Sequence, residues 1–249
     1  MRYFIFISYK GTSYHGWQLQ PNSITVQKIL DDALSVVLNE KISTTGAGRT
    51  DAGVHAMLFC AHFNSISTDL STNTKLIFKL NSYLPKDISV NSISKVLPDA
   101  NARFSAISRT YKYYISRMKD PFFDNSSWFL HGNPNFVAMN ESCIELLKHS
   151  DFTSFSKLHT DTKTNICKIY SATWEEKDNR LVFTIKADRF LRNMVRAIVG
   201  TMVEIGLGKI NIEEFEQIFL DKDRGRAGKS APAQGLFLTD IEYPVEIFI

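Results

Sequence analysis

Strand-type and helix-type periodicities alternate along this chain in the order strand, helix, strand, strand, helix, strand, and the order occurs twice. That repetition restricts the fold more than any other feature. Residues 2–9, RYFIFISY, are aromatic and β-branched and lead into the turn-rich GTSYHGWQLQPNS. From Thr25, TVQKILDDALSVVL places Val26, Ile29, Leu30, Ala33 and Val37 on one helical face, with Ser23 or Thr25 positioned to cap it. KISTTG and VHAMLFCAHF read as strands around a glycine loop, TNTKLIFKLNSYL as a helix ended by Pro85, and DISVNSISKVL as an alternating strand. The second half repeats the order without repeating the sequence. It offers a strand at 108–117, a helix near 137–148, strands at 165–175 and 180–187, helices at 190–206 and 211–220, and a last strand at 236–243. The expectation is an α+β fold of two ferredoxin-like (split βαβ) halves, 1–103 and 104–249, sharing a largely antiparallel mixed sheet with helices on one face and a central cleft.

Composition allows such a fold and narrows its setting. With 249 residues, 44% of them apolar, the chain can bury a substantial core. No run approaches the roughly 18 apolar residues of a membrane span, and the first residues lack a basic region and a cleavage site, so a cytoplasmic protein is expected. Cys60, Cys143 and Cys167 are far apart and form no C-x-x-C, which points to reduced thiols rather than disulfides or zinc. The net charge of +3 is too small to establish a polyanionic partner. Basic residues nevertheless gather at 103–119, 186–196 and 221–229.

The stretch TTGAGRTDAGVHA, residues 44–56, crowds three glycines around Arg49 and Asp51. A phosphate cradle would need G-x-G-x-x-G or a Walker lysine, with a helix starting behind it; this loop has neither and lies between two expected strands. AGKSAPA (227–233) ends like a Walker loop, but Asp223 stands where the first glycine belongs and Pro232 interrupts any following helix. A hairpin turn, with Gly46, Gly48 and Gly53 supplying positive φ and Asp51 capping backbone, accounts for the composition. A reactive carboxylate accounts for the arginine as well, because a guanidinium offsets the desolvation that would neutralise a covered aspartate. Taken alone, the residues leave the hairpin and the reactive aspartate open. His15 and Trp17 in the first loop, with His55 and His62 flanking the strand after Asp51, lack the paired spacing of metal ligands, and satisfied polar or base-contacting roles are expected of them.

The blocks YKGTSYHGWQLQPN, TVQKIL, GAGRTDAGVHA, LNSYLP, ARFSAISRTYKY, FLRNMVRAIVG and APAQGLFL follow one another across nearly the whole chain. Together, in that order, they resemble the bacterial tRNA pseudouridine synthase A family. Two departures touch RNA-contact positions: DAN precedes Ala102 where an FHA-like segment is usual, and Arg192 and Asn193 stand where paired histidines are frequent.

The resemblance implies an isomerase that converts uridines 38, 39 and 40 of the tRNA anticodon arm to pseudouridine, acting as a homodimer with the cleft as its RNA-binding surface. It implies that Asp51 is the essential carboxylate, whether it attacks C1′, attacks C6 or abstracts a ribose proton. Arg49 would occupy the space of the extruded base or order the aspartate. Tyr111 would stack on the uracil, Arg196 would pair with Asp51, and Leu236 would pack on the target base. Arg109, Lys112, Arg189 and Arg192 would meet RNA phosphates. Arg189, Arg192 and Arg196, spaced three and four apart, are expected on one side of a helix. An isomerisation needs no metal, no redox cofactor and no nucleotide cofactor. Two rivals remain: a noncatalytic RNA-binding protein, which would tolerate loss of Asp51, and a nucleoside hydrolase, which would release free uracil and would ordinarily use two carboxylates.

Overall fold

A computed structural model describes residues 1–157 and 163–249. The chain divides into two compact units, residues 1–108 with 238–249, and residues 109–237.

The first unit contains β1 (Arg2–Tyr9), α1 (Val26–Leu38), β2 (Thr45–Gly46), β3 (His55–Asn64), α2 (Thr74–Tyr83) and β4 (Ile88–Val96). β1 is central and antiparallel to both neighbours, with Ile5 opposite Ala61 of β3 and Ile93 of β4. Its near-continuous apolar run follows from that position, since a strand covered on both faces has no polar side to show. Tyr3, Phe4, Ile5 and Ile7 are fully buried. Helix α1 starts at the Thr25 cap, whose hydroxyl accepts the Lys28 N–H, and ends where Asn39 turns left-handed (φ 52°). Val26, Leu30, Ala33 and Leu34 form its buried face, with Ile29 and Val37 at the margin.

The expected strand 41–46 shortens to Thr45–Gly46. Helix α1 takes the missing backbone bonds: Ile42 N–H donates to Ser35 Oγ (3.0 Å), Thr44 N–H to Asp31 Oδ1 (2.9 Å), and Gln27 Nε2 donates to the Thr44 carbonyl (2.7 Å). Backbone groups satisfied by helix side chains have no need of a ladder.

The second unit contains β5, which starts at the junction (Ser108–Ser116), β6 (Trp128–Phe129), α3 (Phe136–Leu146), β7 (Ile169–Lys177), β8 (Arg180–Ala187), α4 (Met194–Gly206) and α5 (Ile212–Asp221). Its strands run in the order β5-β8-β7, antiparallel, with β6 parallel to the end of β5. Asp178 and Asn179, both at positive φ (50° and 59°), make the tight β7–β8 hairpin turn. Helix α4 is buried almost all round, as its apolar sequence demands. The last strand, β9 (Leu236–Glu242), carries the chain back into the first unit, where it lies beside β3. Beyond it, Tyr243 and Phe248 pack on Phe4 at ring distances of 5.0 and 6.0 Å. Nine strands and five α-helices among the described residues establish the α+β class.

One expectation fails here. Helix α4 begins at Met194, not at 190, because Asn193 adopts the left-handed conformation (φ 66°), in which a right-handed helix cannot continue. Arg189 and Arg192 therefore belong to the irregular segment and turn before the helix and do not share a helical face with Arg196.

Candidate active site

In the first unit the aspartate loop, 47–54, joins β2 to β3, so a strand and not a helix N-terminus follows Gly48. Lacking a ladder of its own, the loop is held by its surroundings and by one turn of its own. Ala47 N–H donates to the Cys60 carbonyl (2.8 Å) of β3, and within the loop Val54 N–H donates to the Asp51 carbonyl (3.1 Å). The loop after β1 wraps around it. Trp17 N–H donates to the Thr50 carbonyl (3.3 Å) and Gly53 N–H to the Tyr14 carbonyl (3.4 Å). Gly11 N–H donates to His55 Nδ1 (3.0 Å), and the Tyr9 and Thr50 hydroxyls are bonded at 2.9 Å. The same first loop closes the start of α1, where Val26 and Gln27 N–H groups donate to the Gly16 and Trp17 carbonyls (3.2 and 3.1 Å).

Of the three loop glycines only Gly53 takes a positive φ (79°). Gly46 answers to a different demand: a Cβ there would lie 2.4 Å from the Trp17 indole nitrogen and 2.8 Å from Phe59. Asp51 is half-buried between buried Thr50 and exposed Ala52, and Arg49 is exposed. The two histidines of β3 have structural partners, His55 accepting from Gly11 and His62 from Ala102 N–H (3.1 Å). Burial, with the Arg2 charge near it, holds the His62 pKa below its usual value. Among the described residues no group of three or more His, Cys, Asp or Glu side chains could hold a metal ion.

In the second unit Tyr111 lies on β5 opposite Ile185, half-buried, its ring edge-on to Phe190 at 5.1 Å. Tyr113, two residues along, is fully buried and donates its hydroxyl to the Pro232 carbonyl (2.7 Å). Burial drives its pKa far above the ordinary phenol value. Arg109 donates to the Asp188 carbonyl (2.8 Å), and Lys112 is half-buried opposite Thr184. Arg196, in the first turn of α4, is clasped to the APAQGLFL segment in both directions. Its Nε donates to the Ala231 carbonyl (2.7 Å), and Ala231 N–H donates to the Arg196 carbonyl (2.9 Å). Leu236 lies within that segment, buried, at the start of β9. Arg189 is half-buried and Arg192 exposed, the Arg192 carbonyl accepting from Lys157 N–H (3.0 Å).

The sequence pattern of this chain matches that of tRNA pseudouridine synthases over residues 5–105 and 143–244. The tRNA pseudouridine synthase A of Bacteroides fragilis is 54% identical over 248 residues, covering 99% of this chain and 98% of the relative. Those of Parabacteroides distasonis and Porphyromonas gingivalis are 51% and 46% identical, over 99% and 100% of this chain and 98% and 99% of theirs. The chain belongs to the tRNA pseudouridine synthase family. Membership makes it an enzyme, an isomerase that forms pseudouridine. The family match takes in Arg49, Asp51, Arg189, Arg192, Arg196 and Leu236, while Arg109, Tyr111 and Lys112 fall in the stretch between its two parts.

Within this family frame, the structure adds residues that sequence reasoning passes over. Tyr9 and Thr50 meet through buried hydroxyls that no spacing announces. Arg224, in the basic stretch 221–229, is structural: it donates to the Ala227 and Gly228 carbonyls (both 3.2 Å) and to Ser230 Oγ (2.9 Å). Asn193 Nδ2 donates to the same Ser230 Oγ (2.6 Å), which helps to seat this segment on α4.

Proposed function

We propose that the protein isomerises uridines 38, 39 and 40 in the anticodon stem-loop of tRNA to pseudouridine, with Asp51 as its essential carboxylate. The observation that carries the reading is the placement of Asp51 at a half-buried position in a firmly braced loop, in a chain that belongs to this family. In the reaction the N1–C1′ glycosidic bond breaks, the uracil turns, C5 bonds to C1′, and the proton lost from C5 is balanced by one gained at N1. No atom is added or removed overall, so neither water nor an electron carrier is consumed. Reaching C5 requires the nucleotide to leave its stack, which favours a loop substrate.

The remaining roles follow motif position. Arg49 fills the space of the extruded base or orders the aspartate, Tyr111 supplies a stacking face, Arg196 a fixed positive charge, and Leu236 an apolar contact for the base. Arg109, Lys112, Arg189 and Arg192 neutralise phosphates. The working form is a cytoplasmic homodimer. Pseudouridine mapping of an unmodified tRNA transcript treated with the protein tests the reading, with modification expected at 38–40 and no free uracil. Tight binding without pseudouridine would instead indicate an RNA-binding protein, and released uracil a hydrolase.

A further inference from the structure

A carboxylate that must meet one atom of a flipped nucleotide needs a fixed position, because a misplacement of about 1 Å can cost about 100-fold in rate. Loops do not supply such rigidity unaided. In this loop the bracing converges on Thr50, the residue bonded directly to Asp51. Its hydroxyl is held at 2.9 Å by Tyr9, which is 4% exposed and stands at the end of the central strand β1. The Thr50 carbonyl receives the Trp17 N–H at 3.3 Å. Gly16, at φ 86°, lies so close beneath that a Cβ would be 2.3 Å from the same oxygen. The Tyr9 ring is set in turn by Phe59 of β3 at 5.7 Å. Thr50 is thus fixed on both its side-chain and its main-chain oxygen, by groups anchored in the rigid part of the unit.

We propose that Tyr9 and Thr50 are positioning residues for the isomerisation, their buried hydroxyl pair transmitting the rigidity of β1 to Asp51. The inference rests on the assignment of Asp51 above. Neither residue touches substrate; each acts through the backbone of the aspartate loop.

The test uses the full chain on an unmodified tRNA transcript, with single-turnover rate at saturating enzyme, tRNA Kd and thermal midpoint measured together. Tyr9→Phe keeps the ring and removes the hydroxyl, Thr50→Val keeps the branched shape, and Thr50→Ser keeps the hydroxyl. Tyr9→Phe and Thr50→Val are each expected to slow turnover by about 10- to 100-fold with Kd changed less than about twofold. The double variant should be no slower than the slower single one, and Thr50→Ser should restore most of the rate. A wild-type rate for Tyr9→Phe, a loss that follows Kd or the thermal midpoint, or a Thr50→Ser as slow as Thr50→Val would overturn the inference. Asp51→Asn in the same series separates the two claims. If it retains full rate, the Asp51 assignment falls and the positioning role falls with it; if it is inactive while Tyr9→Phe is not impaired, only the positioning role falls.

Discussion

Gly46 and Gly48 stand two residues apart in one motif and face opposite constraints. A Cβ on Gly46 would be driven into the Trp17 indole, which is itself wedged against Phe59 at a ring distance of 4.2 Å, whereas a Cβ on Gly48 would meet nothing within 4 Å. Gly46→Ala is therefore expected to destabilise the protein by about 1–3 kcal/mol through overpacking. Gly48→Ala should leave stability nearly unchanged, and urea unfolding of the two variants checks the contrast. Equal losses would mean that backbone freedom, not contact, is what both positions need. The sequence shows that glycine matters in this loop but not why: the partner of Gly46 is Trp17, brought in by a separate loop. The loop that holds Arg49 and Asp51 was legible because its glycines and charged residues lie within a few positions of one another in the chain. The hydroxyl pair of Tyr9 and Thr50 was not, because it forms only when β1 and the loop meet.

At the scale of elements, α1 shows how a helix can replace a strand partner. Gln27, Asp31 and Ser35, four residues apart, form a polar stripe that takes up the backbone of 42–44. Asp31 accepts both the N–H and the hydroxyl of Thr44, the latter at 2.6 Å. Burial, with the like charge of Asp32 adding to it, pushes the Asp31 pKa up to about 6 despite those two bonds. In the unfolded chain the group titrates near its ordinary value of 3.8. Between about pH 4 and 6 the native state therefore holds the proton that the unfolded state has lost, and stability falls as pH rises through that window. Asp31→Asn keeps an acceptor for Thr44 and removes the penalty. It should flatten the stability profile between pH 4 and 6 and raise stability at pH 7 by about 1 kcal/mol once solvent screening is allowed for. A loss of stability at pH 7 would show that the carboxylate charge itself is needed to hold Thr44. Helical period revealed α1 well, but not the use of its polar stripe. At α4 the apolar period continued back through Leu191, and only the left-handed Asn193 shows where the helix begins.

For the molecule as a whole, the net charge of +3 says little about RNA, and the distribution of arginines between structure and solvent says more. Arg192 is exposed, while Arg224 is half-buried and spends its donors on Ala227, Gly228 and Ser230. If Arg192 meets a phosphate, Arg192→Ala should weaken tRNA binding and reduce the slope of log K against log salt by about 0.7–1. Arg224→Ala should leave that slope intact and lower stability by about 1–3 kcal/mol through its lost hydrogen bonds. Salt titrations and thermal unfolding of both variants distinguish the roles, and a reduced salt slope for Arg224→Ala would return the 221–229 stretch to the RNA-contacting surface. The α+β class and the order of elements were readable because each periodicity is local. The return of β9 and the tail to Phe4 was harder to read, since Tyr243 and Phe248 meet that strand across nearly the full length of the chain.

The most direct measurement compares wild-type protein with Asp51→Asn on an unmodified tRNA transcript, mapping pseudouridine by position and measuring tRNA affinity for both. Pseudouridine at 38–40 from the wild type alone, with affinity retained by the variant, is the result expected if Asp51 carries the isomerisation. Equal modification by both proteins would contradict it.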